Sequence, residues 1–346
     1  MPPAPFAPFL PPQINTGPWL AGYTLDALRQ RADTHRMVLP ICSLGTPAEE
    51  LAGLAALVLP PLYHEALDAD LKSALIRQVR RCFPYFEGTR ARGQFRGNFE
   101  IVELPARPPA RVAQPPEVLG FGVDTTVEQH APHLPLATDT VQTYAVLHRV
   151  AAEDPRLTVG PAIEYGQLTW GLPFGFSVDI TAPLVTRYVR GFVNALLDWL
   201  APAAVYVADV HGSFIHRDAM QEGLRQSRCA RWAFRWLHDP LAEFGAERGD
   251  THAGGIETIL VDHINPALVD RSWWPGRTEE LASAQMTTPE VVELSTDLPR
   301  FVQHVETRHP NGIVGDIRYA AQLDGRMLFE RMVAIARQDV AALLER

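Results

Sequence analysis

The 346-residue chain is 47% hydrophobic and 21% charged, a globular rather than disordered composition with enough length for one large core or two modest ones. Its net charge of −9 offers no general field to recruit nucleic acid or anionic lipid, so neither nucleic acid nor membrane is an expected partner. Lys72 is the single lysine, preceded by Asp70 and Leu71, which excludes a G-x-x-x-x-G-K-[ST] phosphate loop and leaves one candidate for Schiff-base chemistry. Cys42, Cys82 and Cys229 are far apart and form no C-x-x-C pair, which fits a reducing compartment. The first residues lack a basic segment followed by a continuous apolar one, and the longest apolar stretch, Leu51 to Leu62, is too short to span a bilayer. The expectation is a soluble, cytoplasmic protein.

Seven prolines within residues 1–18 predict an extended arm, taken as residues 1–20. Residues 21–116 read as an N-terminal α/β portion, closed by Pro105, Pro108, Pro109, Pro115 and Pro116. Within it, Thr24 to Thr34 predicts a capped helix, Met37 to Ser43 a short buried strand, and Asp68 to Arg81 a surface helix. The Arg- and Gly-rich stretch Gly88 to Gly97 reads as a solvated turn or interface rim in this acidic chain. Val38-Leu39-Pro40 and Val58-Leu59-Pro60 echo one another weakly.

The pattern is more regular after Pro116. Val118 to Val123 predicts a strand, Thr140 to Ala152 a helix, and Leu157 to Ile163 a strand. Pro183 to Leu200 is the clearest helix, with Leu184, Val185, Tyr188, Val189, Phe192, Val193, Leu196, Leu197 and Leu200 at helical spacing. Ala203 to Val210 is apolar without alternation, as in a strand covered on both faces, and a last helix is predicted from Ile317 to Leu344. Strands alternating with helices imply an α/β fold with a mostly parallel sheet, whose chemistry gathers where the strands end.

Three segments carry that chemistry. Glu128, His130, His133 and Asp139 fall within twelve residues after a predicted strand, a carboxylate and imidazole mix suited to zinc, manganese or iron. A polar surface loop with incidental histidines is the bland alternative. His211 follows the buried strand, next to Asp209, where it is either aimed over the sheet edge as a ligand or caps a helix. His252 and Glu257 flank two glycines that let backbone approach a ligand closely, in a segment that on its own reads first as a helix N-terminus with acidic capping.

Together the segments resemble the creatininase family of metal-dependent amidohydrolases. The family's E-Q-H-G-P-H-L-P followed by T-D is matched by Glu128, Gln129, His130, Pro132, His133, Leu134, Pro135, Thr138 and Asp139. Its H-A-G-x-x-E-T is matched by His252 through Thr258, with Pro266 and Val269 in the helix expected next, and Gly312 to Asp316 resembles its glycine-rich turn. The resemblance covers residues 117–346 and implies a three-layer α/β/α creatininase-like catalytic domain there, often hexameric, holding two divalent metal ions, zinc in first place and manganese or iron as alternatives. By position, Glu128, His130, Asp139, His211 and Glu257 correspond to metal ligands, with Asp139 as the bridge. His252 corresponds to the proton shuttle, and Glu257 completes the site or orients its water. His133 and Asp209 would support the ligands, and Tyr165, Trp170 and Ser213 would face the substrate.

The chain also departs from the family pattern. Ser213 stands where some relatives have a glutamate ligand, Phe214 replaces an amide, Ala131 replaces a glycine, and the loop after Tyr165 and Gly166 is aromatic. The function implied is a hydrolase that opens a C–N bond of a cyclic amide or formamide with a metal-activated water. The alternatives are a peptidase trimming a small modified peptide and a non-catalytic binding or assembly subunit. The expected partners are a small molecule or short modified peptide and further copies of the chain.

Overall fold

A computed structural model describes residues 19–32, 36–54, 56–85, 99–107 and 114–345. The predicted arm up to residue 18 and the stretch Gly88 to Gly97 lie outside the described residues. In the N-terminal portion β1 (Met37–Cys42) is buried along its whole length, as its unbroken apolar run requires. It is flanked in parallel by β2 (Leu57–Val58), β3 (Leu62–Tyr63) and β4 (Phe99–Glu103). The echoed valines are paired here, Val38 against Val58. The helix Ala69–Cys82 starts where the Asp68 carboxylate accepts from the Leu71 N–H at 2.7 Å, and it buries Leu71, Leu75, Val79 and Cys82 at helical spacing. Lys72, on its outer side, pairs with Glu103 at 2.9 Å.

The second sheet consists of β5 (Val118–Gly122), β6 (Leu157–Val159), β7 (Ala204–Asp209) and β8 (Trp232–Trp236), all parallel, in the order β6-β5-β7-β8. Because strand side chains alternate, its residues sort to two faces. Leu119, Phe121, Val205 and Val207 pack with the helix Ala182–Leu200, while Val118, Ala204, Tyr206 and Ala208 pack with the helices Thr138–Glu153 and Gly325–Leu344. Helices on both faces of a parallel sheet make three layers, as expected. The first of these apolar clusters continues into the N-terminal sheet through Leu39, Ile41 and Leu62. Gly191 lets the helix Ala182–Leu200 approach that portion, since a Cβ there would strike the Ala66 carbonyl.

Three predicted elements need correction. The strand expected over Leu157 to Ile163 ends at Val159, because Pro161 has no N–H for the ladder; Ile163 rejoins only as a single bridge to Val123. The helix expected from Ile317 to Leu344 is two elements, a 3₁₀ helix Ile317–Gln322 and the α-helix Gly325–Leu344. The break falls at Asp324, whose carboxylate accepts from the N–H groups of Arg326 and Met327 and so starts a new helix. The helix expected around Pro266 and Val269 is a single 3₁₀ turn, Pro266–Leu268. Among the described residues no helix is long and apolar enough to cross a membrane.

Candidate metal centre

The carboxyl ends of β5 and β7 lie side by side, with Gly122 paired to Ala208, so the segments leaving them converge. From β5 the chain runs through Thr125 to Glu128 and His130 and enters the helix Thr138–Glu153, which places Asp139 in its first turn. From β7 it delivers Asp209 and His211. His252 is fixed by an antiparallel bridge to Val314, and Glu257 lies in the first turn of the helix Gly255–Ile264. The predicted residues therefore meet although they span almost 130 positions.

They form two groups. Glu128, Asp139 and His211 can bring one donor atom each within 4.8 Å of one another, and so can His130, His252 and Glu257. Asp139 faces both: Oδ2 lies 3.7 Å from His211 Nδ1 and Oδ1 lies 3.3 Å from His130 Nε2. His211 Nδ1 is 2.8 Å from Glu128 Oε2, and His130 Nε2 is 3.7 Å from Glu257 Oε2. His252 Nδ1 is 3.6 Å from Glu128 Oε1.

Each of these three histidines gives one ring nitrogen to a backbone carbonyl. His130 Nδ1 lies 3.1 Å from Glu128 O, His211 Nε2 lies 3.0 Å from Gln167 O, and His252 Nε2 lies 2.8 Å from Gln129 O. A carbonyl only accepts, so those nitrogens carry the proton and the opposite nitrogens meet the carboxylates. In the neutral ring that opposite atom is a lone pair, so at His130 and His211 it can face a carboxylate only with a cation between them, the ring's own second proton or a metal ion. Glu128 Oε1 and His130 Nε2, both fully buried, have no hydrogen-bond partner among the described residues. Two carboxylates with a histidine, and two histidines with a carboxylate, joined through Asp139, are donor sets that fit borderline divalent metals.

The electrostatics show strong coupling. Burial raises the Glu128 carboxyl, partly offset by His211. Burial also acts to raise Asp139, but the imidazoles of His130 and His211 outweigh it and hold Asp139 well below the usual range. Burial works to lower His130 as well, yet Asp139 and Glu257 bring it up to about 9. Glu257 is pushed up to about 8 by burial against the pull of His130. Burial and the neighbouring His130 hold His252 well below the ordinary histidine value.

The other predicted residues surround this centre in different ways. His133 Nε2 lies 2.8 Å from Thr258 Oγ1, bracing the loop of Glu128 and His130 against the helix that carries Glu257. Asp209 is fully buried behind His211, pushed up to about 7 by burial, with His216 Nε2 3.9 Å away. Trp170 stands edge-on to His252, ring centres 4.5 Å apart. Ser213 Oγ donates to Gln167 Oε1 at 3.0 Å and accepts from His216 N to start the helix Phe214–Arg225. Tyr165, expected to face the substrate, sits in the core with its hydroxyl given to Pro60 O at 2.6 Å. Burial of its ring against the N-terminal portion turns it away from that role.

Several contributors were not singled out from the sequence. Thr125 Oγ1 donates to Glu128 Oε2 and lies 3.3 Å from Asp139 Oδ2, tying the two carboxylates together. Gln167 holds His211 by its carbonyl and Ser213 by its amide. His216 reaches Val123 O at 2.9 Å beneath the site. Thr125, three residues before Glu128, carried a proximity signal; Gln167 carried none. Ala131, in place of glycine, adopts φ +56°, where a side chain is tolerated at a cost of about 1–2 kcal/mol.

The creatininase family profile, described as creatinine amidohydrolase, matches residues 124–340. The chain is 31% identical over 216 residues to the mycofactocin precursor peptide peptidase of Mycobacterium ulcerans (strain Agy99), covering 60% of this chain and 78% of that protein. It is 29% identical over 219 residues to the protein of the same name from Mycobacterium tuberculosis (strain CDC 1551 / Oshkosh), with the same coverage. A solved mutant creatininase complexed with creatine superposes with a TM-score of 0.48 at 18% identity, over 65% of this chain and 91% of that one.

Proposed function

Because the chain belongs to the creatininase family, we propose that it is a metal-dependent hydrolase that cleaves a C–N bond of a short modified peptide. The observation that carries the reading is Asp139, whose two oxygens face the two ligand groups. Glu128, Asp139 and His211 would hold one divalent ion, and His130 and Glu257 with Asp139 the other. Bound there, such ions supply Lewis acidity and lower the pKa of water to about 7.

The chain's own residues supply the rest. His252 keeps its Nε2 proton on Gln129 O and presents Nδ1 as the base that takes up a proton and passes it to the departing nitrogen. Trp170, edge-on to His252, walls that side from water. Glu257 accepts from the Ala253 N–H at 2.5 Å, which locks the turn between His252 and itself. The names of the relatives support a peptide substrate; a cyclic amide or formamide is the second reading, favoured by the aromatic loop around Trp170, which offers a flat substrate a ring face. In this reading residues 117–346 form the catalytic domain and residues 21–116 support it.

Metal content by plasma mass spectrometry, on protein purified without chelators or a histidine tag, tests the centre. The expected result is about two ions per chain, as in two-metal hydrolytic sites. Asp139→Ala should lose both together with hydrolysis of peptides, lactams and formamides. A chain that binds no ion after reconstitution sinks the hydrolase and leaves a binding subunit.

A further inference from the structure

The metal centre is bordered by a feature it does not use. The helix Phe214–Arg225 begins directly after His211, Gly212 and Ser213, so its first turns stand at the edge of the site. Phe214 is 77% exposed and Ile215 58%, the two largest exposures among the large apolar side chains of the described residues apart from Val292. Arg217 lies one turn further. Its guanidinium is over the Phe214 ring, 5.4 Å from the centroid, and over the Trp236 ring at 5.0 Å.

That arrangement is anchored to the ligand strand. Trp236 Nε1 donates to Val210 O at 2.9 Å, and the indole packs against Gly212 so closely that a Cβ there would strike it. Gly212 also takes φ +73°, so two independent constraints call for glycine. Ser213 and Arg217, four residues apart, share a helix face, and Ser213 touches Gln167, which holds His211.

Arg217 differs from the arginines around it. Arg225, Arg228 and Arg235 each hold a carboxylate, Glu222, Asp198 and Asp339 respectively. Among the described residues Arg217 has no carboxylate oxygen within the 4.0 Å of an ion pair. A half-buried guanidinium stacked on two rings keeps its planar fork presented at little cost in side-chain entropy, and that fork matches a carboxylate.

We propose that Arg217 is an anion subsite that receives a carboxylate of the substrate, with Phe214 and Ile215 taking the apolar side chain beside it. The substrate class is then a peptide carrying a carboxylate next to an apolar residue. The inference deepens the peptide-trimming reading and rests on it for the identity of the ligand.

The test is calorimetric binding to the metal-loaded protein at low salt, with three probes: N-acetyl-alanyl-phenylalanine, its C-terminal amide, and N-acetyl-glutamyl-phenylalanine amide. The free acid is expected to bind about tenfold tighter than its amide, the size of one charge-assisted contact. Arg217→Gln should erase that preference and Arg217→Lys should keep part of it. If the glutamyl amide binds as the free acid does, a side-chain carboxylate suffices and the subsite stands. Equal binding of acid and amide, no binding of any probe, or an undiminished preference in Arg217→Gln overturns it. Turnover is scored separately: peptide hydrolysis without an acid preference sinks the subsite alone, whereas an Arg217-dependent preference without hydrolysis of any peptide sinks the peptidase reading alone.

Discussion

At the scale of single residues, the site is governed by where each histidine puts its proton. His130, His211 and His252 each spend one nitrogen on a backbone carbonyl and aim the other at a carboxylate, so ring orientation follows from local backbone geometry. His252 has the most exposed of the three rings, 10% against 0% and 2%, which suits a group that must meet the substrate. His252→Ala should therefore keep both ions while kcat falls by about 10²–10⁴-fold. Loss of one ion in that variant, measured by plasma mass spectrometry, would instead make His252 a ligand. The ligand types were legible in the sequence because carboxylates and imidazoles announce their chemistry. Thr125 and Gln167 were not, because a hydroxyl and a backbone carbonyl acquire a role only from what stands beside them.

At the scale of elements, strand ends and helix starts do most of the positioning. The strands β5 and β7 were legible as uninterrupted apolar runs, and the helix Ala182–Leu200 as an amphipathic repeat. The break between Gln322 and Gly325 was less visible, since Leu323 and Asp324 interrupt a nearly continuous helical pattern. There the Asp324 carboxylate, serving two N–H groups, offers a new start that competes with continuation of the helix. Asp324→Ala should cost about 1 kcal/mol, seen as a lower urea midpoint with an unchanged slope. An unshifted midpoint would mean that packing of Leu328 and Met332 alone sets the helix start.

At the scale of the whole molecule, the N-terminal portion is joined to the site by backbone as well as by core. Tyr23 O accepts from Leu136 N and Ala21 O from Ala137 N, at 3.1 and 2.9 Å, just before the residue pair Thr138 and Asp139. The loop that leads from Glu128 to Asp139 is thus held from a segment more than a hundred residues away. Acid sensitivity is also a property of the whole fold. Burial, with His130 nearby, lowers His133 to about 3; burial, with His211 nearby, lowers His216 to about 3; and burial lowers His238 to about 4. Unfolding returns each to an ordinary value near 6.5, so the stability these neutral rings contribute is complete above that pH and is lost as pH falls toward their folded values. Each should lower stability by about 1.4 kcal/mol per pH unit in that window. Buried carboxyls such as Glu257 and Asp209, raised to about 8 and 7, act with the opposite sign, so the histidine share is read as a difference: from pH 7 to pH 5 the melting midpoint of His238→Gln, which can still donate to Gln142 Oε1, should gain on that of the unaltered chain. An unchanged difference would place the His238 ring in contact with water.

By itself the amino-acid sequence determined the α/β class, the order of the main strands and helices, and the donor atoms offered to a metal. Those properties are local: periodicity, turn chemistry and side-chain type act over a few residues. Only the tertiary structure decided that Asp139 faces both donor groups, that Tyr165 turns to Pro60, and that Arg217 stacks on Phe214 and Trp236. Each of these depends on a partner far along the chain, and which partner arrives is set by how two buried strands and the apolar faces over them pack together.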